Sequence, residues 1–120
     1  MKIAVSAQGQ DLQSPVDPRF GRARWFVIAD LETGRCEAID NEQNLDAVQG
    51  AGIQAAENVA RHSASYLITG HCGPKAFRAL SAAGIKVIVG AEGTVAEVLE
   101  KFKRGELKPT EGPDVMGHWA

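Results

Sequence analysis

The chain is poor in cysteine: Cys36 and Cys72 are the only two, and they lie far apart. Two isolated thiols fall short of a cysteine-based metal site with internal spacing. In a reducing compartment we expect free thiols rather than a disulfide. Charge of one sign is also missing. A formal net charge of -2 leaves no general basic field to draw nucleic acid. No block of like charges forms a tail for polyanions. Long hydrophobic runs are absent as well. Met1-Lys2-Ile3-Ala4-Val5 turns polar at Ser6 and Gln8, too short for a signal-peptide core, and no stretch could span a bilayer. These absences point to a cytoplasmic protein with neither membrane nor nucleic acid as partner.

Catalytic signatures are missing too. There is no GxxxxGK[ST] loop, and no GxGxxG follows the first apolar run, so neither common nucleotide motif is available. No spacing of serine, histidine and acid marks a triad. The acids Asp40, Asp46, Glu57, Glu97 and Glu100 fall on predicted helices and turns. The predicted strands at residues 2–6 and 66–69 hold none. That argues against two-metal phosphoryl chemistry, although the strand layout resembles nucleases of the ribonuclease H type.

What is present reads as one α/β domain. The 120 residues fit a single core, and we place the domain at residues 1–108 with an irregular tail at 109–120. Residues 2–6 are a short apolar run that predicts a buried strand. Residues 25–30 (Trp-Phe-Val-Ile-Ala-Asp) and 36–40 predict a hairpin around Glu32-Thr33-Gly34. Gly50-Ala51-Gly52 opens a helix to about Ser63, with Ile53, Ala56, Val59 and Ala60 at helical spacing. Residues 66–69 and 85–89 are apolar strands. Between them Pro74 starts a helix with Ala76, Phe77 and Leu80 on one face, and Gly84 stops it. Thr94-Val95-Ala96-Glu97 matches a capping box for a last helix to about Lys103. The order β-β-β-α-β-α-β-α predicts a mixed five-stranded sheet, an antiparallel hairpin beside parallel strands reached by right-handed crossovers.

The most informative segment is Arg19-Phe20-Gly21-Arg22, in a loop broken by Gly9, Pro15 and Pro18. Two guanidinium forks flank a glycine, and Asp17 is the only acid within residues 15–24. Such a loop suits an anion with several acceptor atoms. Ligands in open α/β sheets bind beyond the carboxyl ends of parallel strands. We expect three loops to meet there: residues 7–24, 70–75 and 90–94. The last two lead into helix N-termini, whose amides and dipole favour anions. Lys75 adds a cation. Whether Gly50 to Gly52 joins the same end stays open. His71 and Cys72 are the only adjacent soft donors. They are either metal ligands or, equally, a turn residue and a small buried one. His62 reads as a surface residue or dipole partner at a helix end. Cys36 reads as a core or edge residue, and His118 and Trp119 fall in the tail.

These pieces together resemble the dinitrogenase iron–molybdenum cofactor biosynthesis family, in its orange-protein-like branch. The resemblance rests on Met1-Lys2-Ile3-Ala4-Val5-Ser6, Asp17-Pro18-Arg19-Phe20-Gly21-Arg22, and Asn44 with Gly50-Ala51-Gly52. It continues through Gly70, Gly73-Pro74-Lys75-Ala76-Phe77 and Gly84-Ile85-Lys86-Val87, covering about residues 1–105. It implies a ribonuclease H-like fold without nuclease function. It also implies a non-enzymatic role, binding or carrying an anionic molybdenum-containing metal–sulfur cluster. In that branch the cargo is a molybdenum–copper sulfide cluster; elsewhere in the family it is an iron–molybdenum cofactor precursor. On this reading Arg19, Arg22 and Lys75 neutralise cluster charge. Gly21, Gly70 and Gly73 let backbone amides reach sulfide, and Phe20 shields the cluster from water. His71-Cys72 is a less usual filling of the turn before Gly73. The alternative is a ligand-free interaction module in a cluster-handling or cell-division-linked complex; a small hydrolase is a third reading.

Overall fold

A computed structural model describes residues 1–41 and 50–111. Strand β1 (Lys2–Ala7) is the axis of the sheet. It is apolar on both faces because both are covered. It pairs antiparallel with β2 (Trp25–Asp30), Val5 opposite Val27, and parallel with β4 (Tyr66–Ile68), Ala4 opposite Leu67. β2 continues antiparallel into the edge strand β3 (Cys36–Asp40), and β4 continues parallel into β5 (Lys86–Ile88). The sheet order is β3-β2-β1-β4-β5. The mixed sheet and the element order are those the sequence predicts.

The strand alternation sorts two cores. Ala4, Phe26, Ile28, Leu67 and Val87 face helices α1 (Ala51–Ala60) and α2 (Pro74–Ala82), which bring Ala55, Ala56, Val59, Ala76 and Leu80. Ile3, Val5, Val27, Ile68 and Ile88 face α3 (Val95–Lys103), which brings Val95, Val98 and Leu99. Each fully buried Leu, Ile, Val or Phe stabilises by about 1.5–3 kcal/mol. α3 starts in the predicted capping box: Glu97 N–H donates to Thr94 Oγ1 at 3.2 Å, and Thr94 N–H donates to Glu97 Oε1 at 2.9 Å.

Two helix ends differ in how they close. α2 runs out at Gly84, whose φ of 78° no side chain adopts cheaply, as the sequence predicts. α1 ends at Ala60, three residues before the predicted limit. Arg61–Ser63 turn off through short-range bonds, and Ser63 takes the left-handed φ of 58° usually given to glycine. Both cysteines are free; Cys36 is exposed on the edge strand and Cys72 is buried. Among the described residues no helix is long and apolar enough to cross a membrane. Asn44 and Asp46, and within the predicted tail His118 and Trp119, lie outside the described residues.

Candidate functional site

The loop carrying Arg19 to Arg22 is laced to the turn after β4. His71 N–H donates to the Pro18 carbonyl at 2.7 Å, and Phe20 N–H donates to the His71 carbonyl at 3.2 Å, so Arg19 and His71 pair like parallel-strand residues. Gly70 is buried in this lacing. A Cβ there would lie 2.6 Å from Pro18 Cα and 2.8 Å from its carbonyl oxygen, so only glycine fits. The predicted third loop also arrives. Gly90 N–H donates to the Gly70 carbonyl at 2.8 Å, and Val16 N–H donates to the Gly93 carbonyl at 2.8 Å. The three predicted loops therefore do meet beyond the carboxyl ends of β1, β4 and β5.

They do not share one cavity. A cavity of about 620 Å³ opens among Phe20, Gly21, Gly52, His71, Gly73, Pro74, Lys75, Ala76 and Arg78. Residues 90–94 lie outside its wall. The start of α1 takes their place, which settles the open question of Gly50 to Gly52. Of the predicted site residues, Phe20, Gly21, His71, Gly73 and Lys75 stand on the wall. Gly70 sits buried behind it. Cys72 is only 1% exposed and packs in the core under α1 and α2. Arg19 and Arg22 are exposed but off the wall. Phe20 is mainly a core ring, 5.4 Å from that of Phe26.

The wall is cationic and amide-rich. His71, Lys75 and Arg78 are exposed there, and among the described residues no carboxylate belongs to it. Among the described residues, Arg22, Lys75 and Arg78 join no ion pair. Both adjacent helices begin at glycine, α1 after Gly50 and α2 after Gly73, and neither N-cap makes a side-chain capping bond. α3, away from the cavity, has the full capping box. Both helix starts turn the positive ends of their dipoles toward the cavity, which favours an anion there. Among the described residues no three His, Cys, Asp or Glu side chains come together as a metal-ligand set. The arrangement suits an anion held by charge and amides.

Sequence reasoning missed Gly52, Pro74, Ala76 and Arg78 as wall residues. Arg78 carries a readable signal, one turn beyond Lys75 on the same helix face. The small residues carry none, because their role is to let chains approach. His62 sits where predicted: its Nδ1 lies 3.0 Å from the Asn58 carbonyl at the end of α1. A carbonyl only accepts, so Nδ1 carries the proton. A second hollow of about 540 Å³, by Lys2, Asp30, Arg35, Cys36 and Glu37, lies at the opposite end of the sheet. It mixes both signs of charge and has no helix start.

Comparison with known proteins agrees with this architecture. The apo form of the orange protein from Desulfovibrio gigas is 45% identical, with 95% of this chain and 96% of that one covered at a TM-score of 0.90. A Thermotoga protein of the DUF35 family is 33% identical, covered 95% and 98%, with a TM-score of 0.78. An uncharacterised protein of Methanocaldococcus jannaschii is 29% identical over 114 residues, 92% of each chain. The model for the dinitrogenase iron-molybdenum cofactor family matches residues 1–105. With its fold and nearly its whole length accounted for in this way, the chain belongs to the dinitrogenase iron–molybdenum cofactor family.

Proposed function

We propose that the protein binds and carries an anionic molybdenum-containing metal–sulfur cluster in the cavity between the Phe20-Gly21 loop and the start of α2. The observation that carries this reading is the composition of the wall. Lys75, Arg78 and His71 stand around two glycine-capped helix starts, with no acid among the described residues of the wall. A sulfide-rich cluster is large, polarisable and multiply charged. It needs diffuse positive potential and close backbone approach more than a rigid ligand set. Phe20, Pro74 and Ala76 give the same wall an apolar part that excludes water from the sulfides. The likeness to the orange protein, solved in an apo form, supports a cargo of this kind, and so does the family. We read the cargo as a molybdenum–copper sulfide cluster or a related cofactor precursor, and the role as non-enzymatic.

The test is anaerobic titration of the ligand-free protein with tetrathiomolybdate and copper(I), followed by visible absorption and a metal count after gel filtration. A charge-transfer band that co-elutes with protein at fixed stoichiometry, and weakens in Lys75→Ala/Arg78→Ala, is the expected outcome. Protein that emerges colourless and metal-free removes the reading.

A further inference from the structure

We infer that Asp17 is a charge latch on Arg19, holding its guanidinium off the cavity in the ligand-free protein and competing for it with an anionic cargo. The inference rests on the carrier reading above and deepens it. Asp17 is 4% exposed. Its N–H donates to the Ser6 carbonyl at 2.8 Å, and its own carbonyl accepts from the Ser6 hydroxyl at 2.7 Å. Ser6 Oγ is also hydrogen-bonded to Thr69 Oγ1 at 2.8 Å, and both residues are fully buried. The acid is thus fixed to the ends of β1 and β4. Its Oδ1 accepts the Arg19 N–H at 2.9 Å and stands 3.6 Å from Arg19 Nε.

The backbone around Arg19 is equally fixed by the bonds from Pro18 and Phe20 to His71 and by the contact with Gly70. The movable part of Arg19 is its side chain, which is 68% exposed. Phe20 follows Arg19 in sequence and His71 faces it across the bridge, and both stand on the cavity wall. The Arg19 guanidinium does not, because a carboxylate beneath it already engages it. An incoming anion must out-compete that carboxylate, which selects for cargo of higher negative charge. On departure Arg19 returns to Asp17. Ion pairs this exposed are weak, and that suits a latch that must open.

The test uses the whole chain with two tetrahedral probes of like shape, tetrathiomolybdate (a dianion) and tetrathioperrhenate (a monoanion). Asp17→Asn keeps an oxygen acceptor for the Arg19 N–H and removes the charge. It is expected to bind tetrathiomolybdate about three- to five-fold tighter than wild type. The gain for tetrathioperrhenate is expected to be roughly half as large on a logarithmic scale, since the attraction of the released Arg19 guanidinium scales with ligand charge. Both gains disappear in an Arg19→Ala background. A loss of affinity, equal gains for the two anions, or a gain that survives Arg19→Ala overturns the latch. Should Asp17→Asn fail to fold, the wild type decides: its Arg19 Nε–H resonance must move on saturation with tetrathiomolybdate, and an unmoved resonance overturns the latch. The two readings fail separately. Wild-type protein that retains no tetrathiomolybdate ends the carrier reading and the latch with it. Retention without a gain in Asp17→Asn ends the latch alone.

Discussion

Gly21 and Gly52 meet backbone to backbone: a Cβ on Gly21 would lie 3.0 Å from both Cα and N of Gly52. A Cβ on Gly52 would in turn lie 2.9 Å from Ala76 Cβ. Loop, α1 and α2 are stacked here through their smallest residues, and this stack places two helix starts on one cavity. Gly52→Ala sets two effects against each other. Helix propensity alone favours alanine by about 1 kcal/mol. The clash opposes it, and Ala76 has no flexible end that could yield, so overpacking of about 1–3 kcal/mol wins. We expect a lower melting temperature, by roughly 3–6 °C for each net kcal/mol lost, and weaker tetrathiomolybdate uptake in the same variant. A melting temperature above wild type means the stack is loose.

Gly70→Ala tests the lacing itself. Its Cβ meets the Pro18 backbone at 2.6 Å, and backbone cannot rotate away. We expect destabilisation above that of Gly52→Ala, with the amides of Phe20 and His71 losing hydrogen-exchange protection first, since they carry the bonds that must part. Uniform loss of protection across the sheet contradicts a local role.

The cationic wall predicts a salt-dependent site. Lys75 and Arg78 are exposed, so Lys75→Ala/Arg78→Ala changes unfolding free energy by no more than about 0.5 kcal/mol per site. Affinity for tetrathiomolybdate falls several-fold at low ionic strength. The difference from wild type narrows as salt rises, because screening acts within roughly 8 Å at physiological ionic strength. Titrations at three salt concentrations, with unfolding curves on the same samples, separate the two effects. Affinity independent of both lysine and salt contradicts a charge-held cargo.

Much of the fold was legible because its signals are local. β2 and β3 have the predicted bounds, since Trp25–Asp30 is aromatic and β-branched and the turn at Glu32 to Gly34 punctuates it. α3 was legible to the residue through Thr94 and Glu97. The end of α1 was not, because Ser63 fills a conformation that the sequence advertises only when glycine does so. The converging loops were legible from topology, whereas the make-up of the cavity wall was not. Whether residues 90–94 or the start of α1 faces Gly21 depends on which side of the sheet each helix packs, and α3 crosses to the other side. Gly21 and Gly52 meet across a long sequence separation through the lack of side chains, and an absence leaves no periodic mark.

Cys72 separates two roles left open by the sequence. Its thiol packs in the core with Phe20, Ala76 and Leu80. Cys72→Ala removes one buried heavy atom, and we expect a stability loss of about 1 kcal/mol with tetrathiomolybdate uptake preserved. His71→Ala, on the wall, is expected to lower uptake with little change in stability. Loss of the absorption band in Cys72→Ala at full folding would make the thiol a ligand and reverse the assignment.

Thr94 and Glu97 predict an acid-side signature that should leave the cavity untouched. Hydrogen bonds from the Thr94 backbone N–H, and then from its side chain, hold the Glu97 carboxyl below the ordinary glutamate value. A carboxylate with a lowered folded-state pKa stabilises above its unfolded value and loses that contribution as pH falls through the folded one. Wild-type stability therefore declines in this window below the ordinary glutamate range, and Glu97→Gln flattens that part of the decline. Thr94→Ala removes the cap at every pH and costs about 1 kcal/mol near neutrality. The start of α3 also bonds the first loop, Val95 N–H donating to the Ser14 carbonyl at 2.9 Å and Ala96 N–H to the Leu12 carbonyl at 2.8 Å. Those are backbone bonds that alanine keeps, so cluster uptake well below the melting temperature should match wild type. Unfolding curves at several pH values, paired with uptake at one, check both halves. Reduced uptake in fully folded Thr94→Ala would mean that α3 reaches the cavity through the loop at residues 12–16, and the site would then extend across both faces of the sheet.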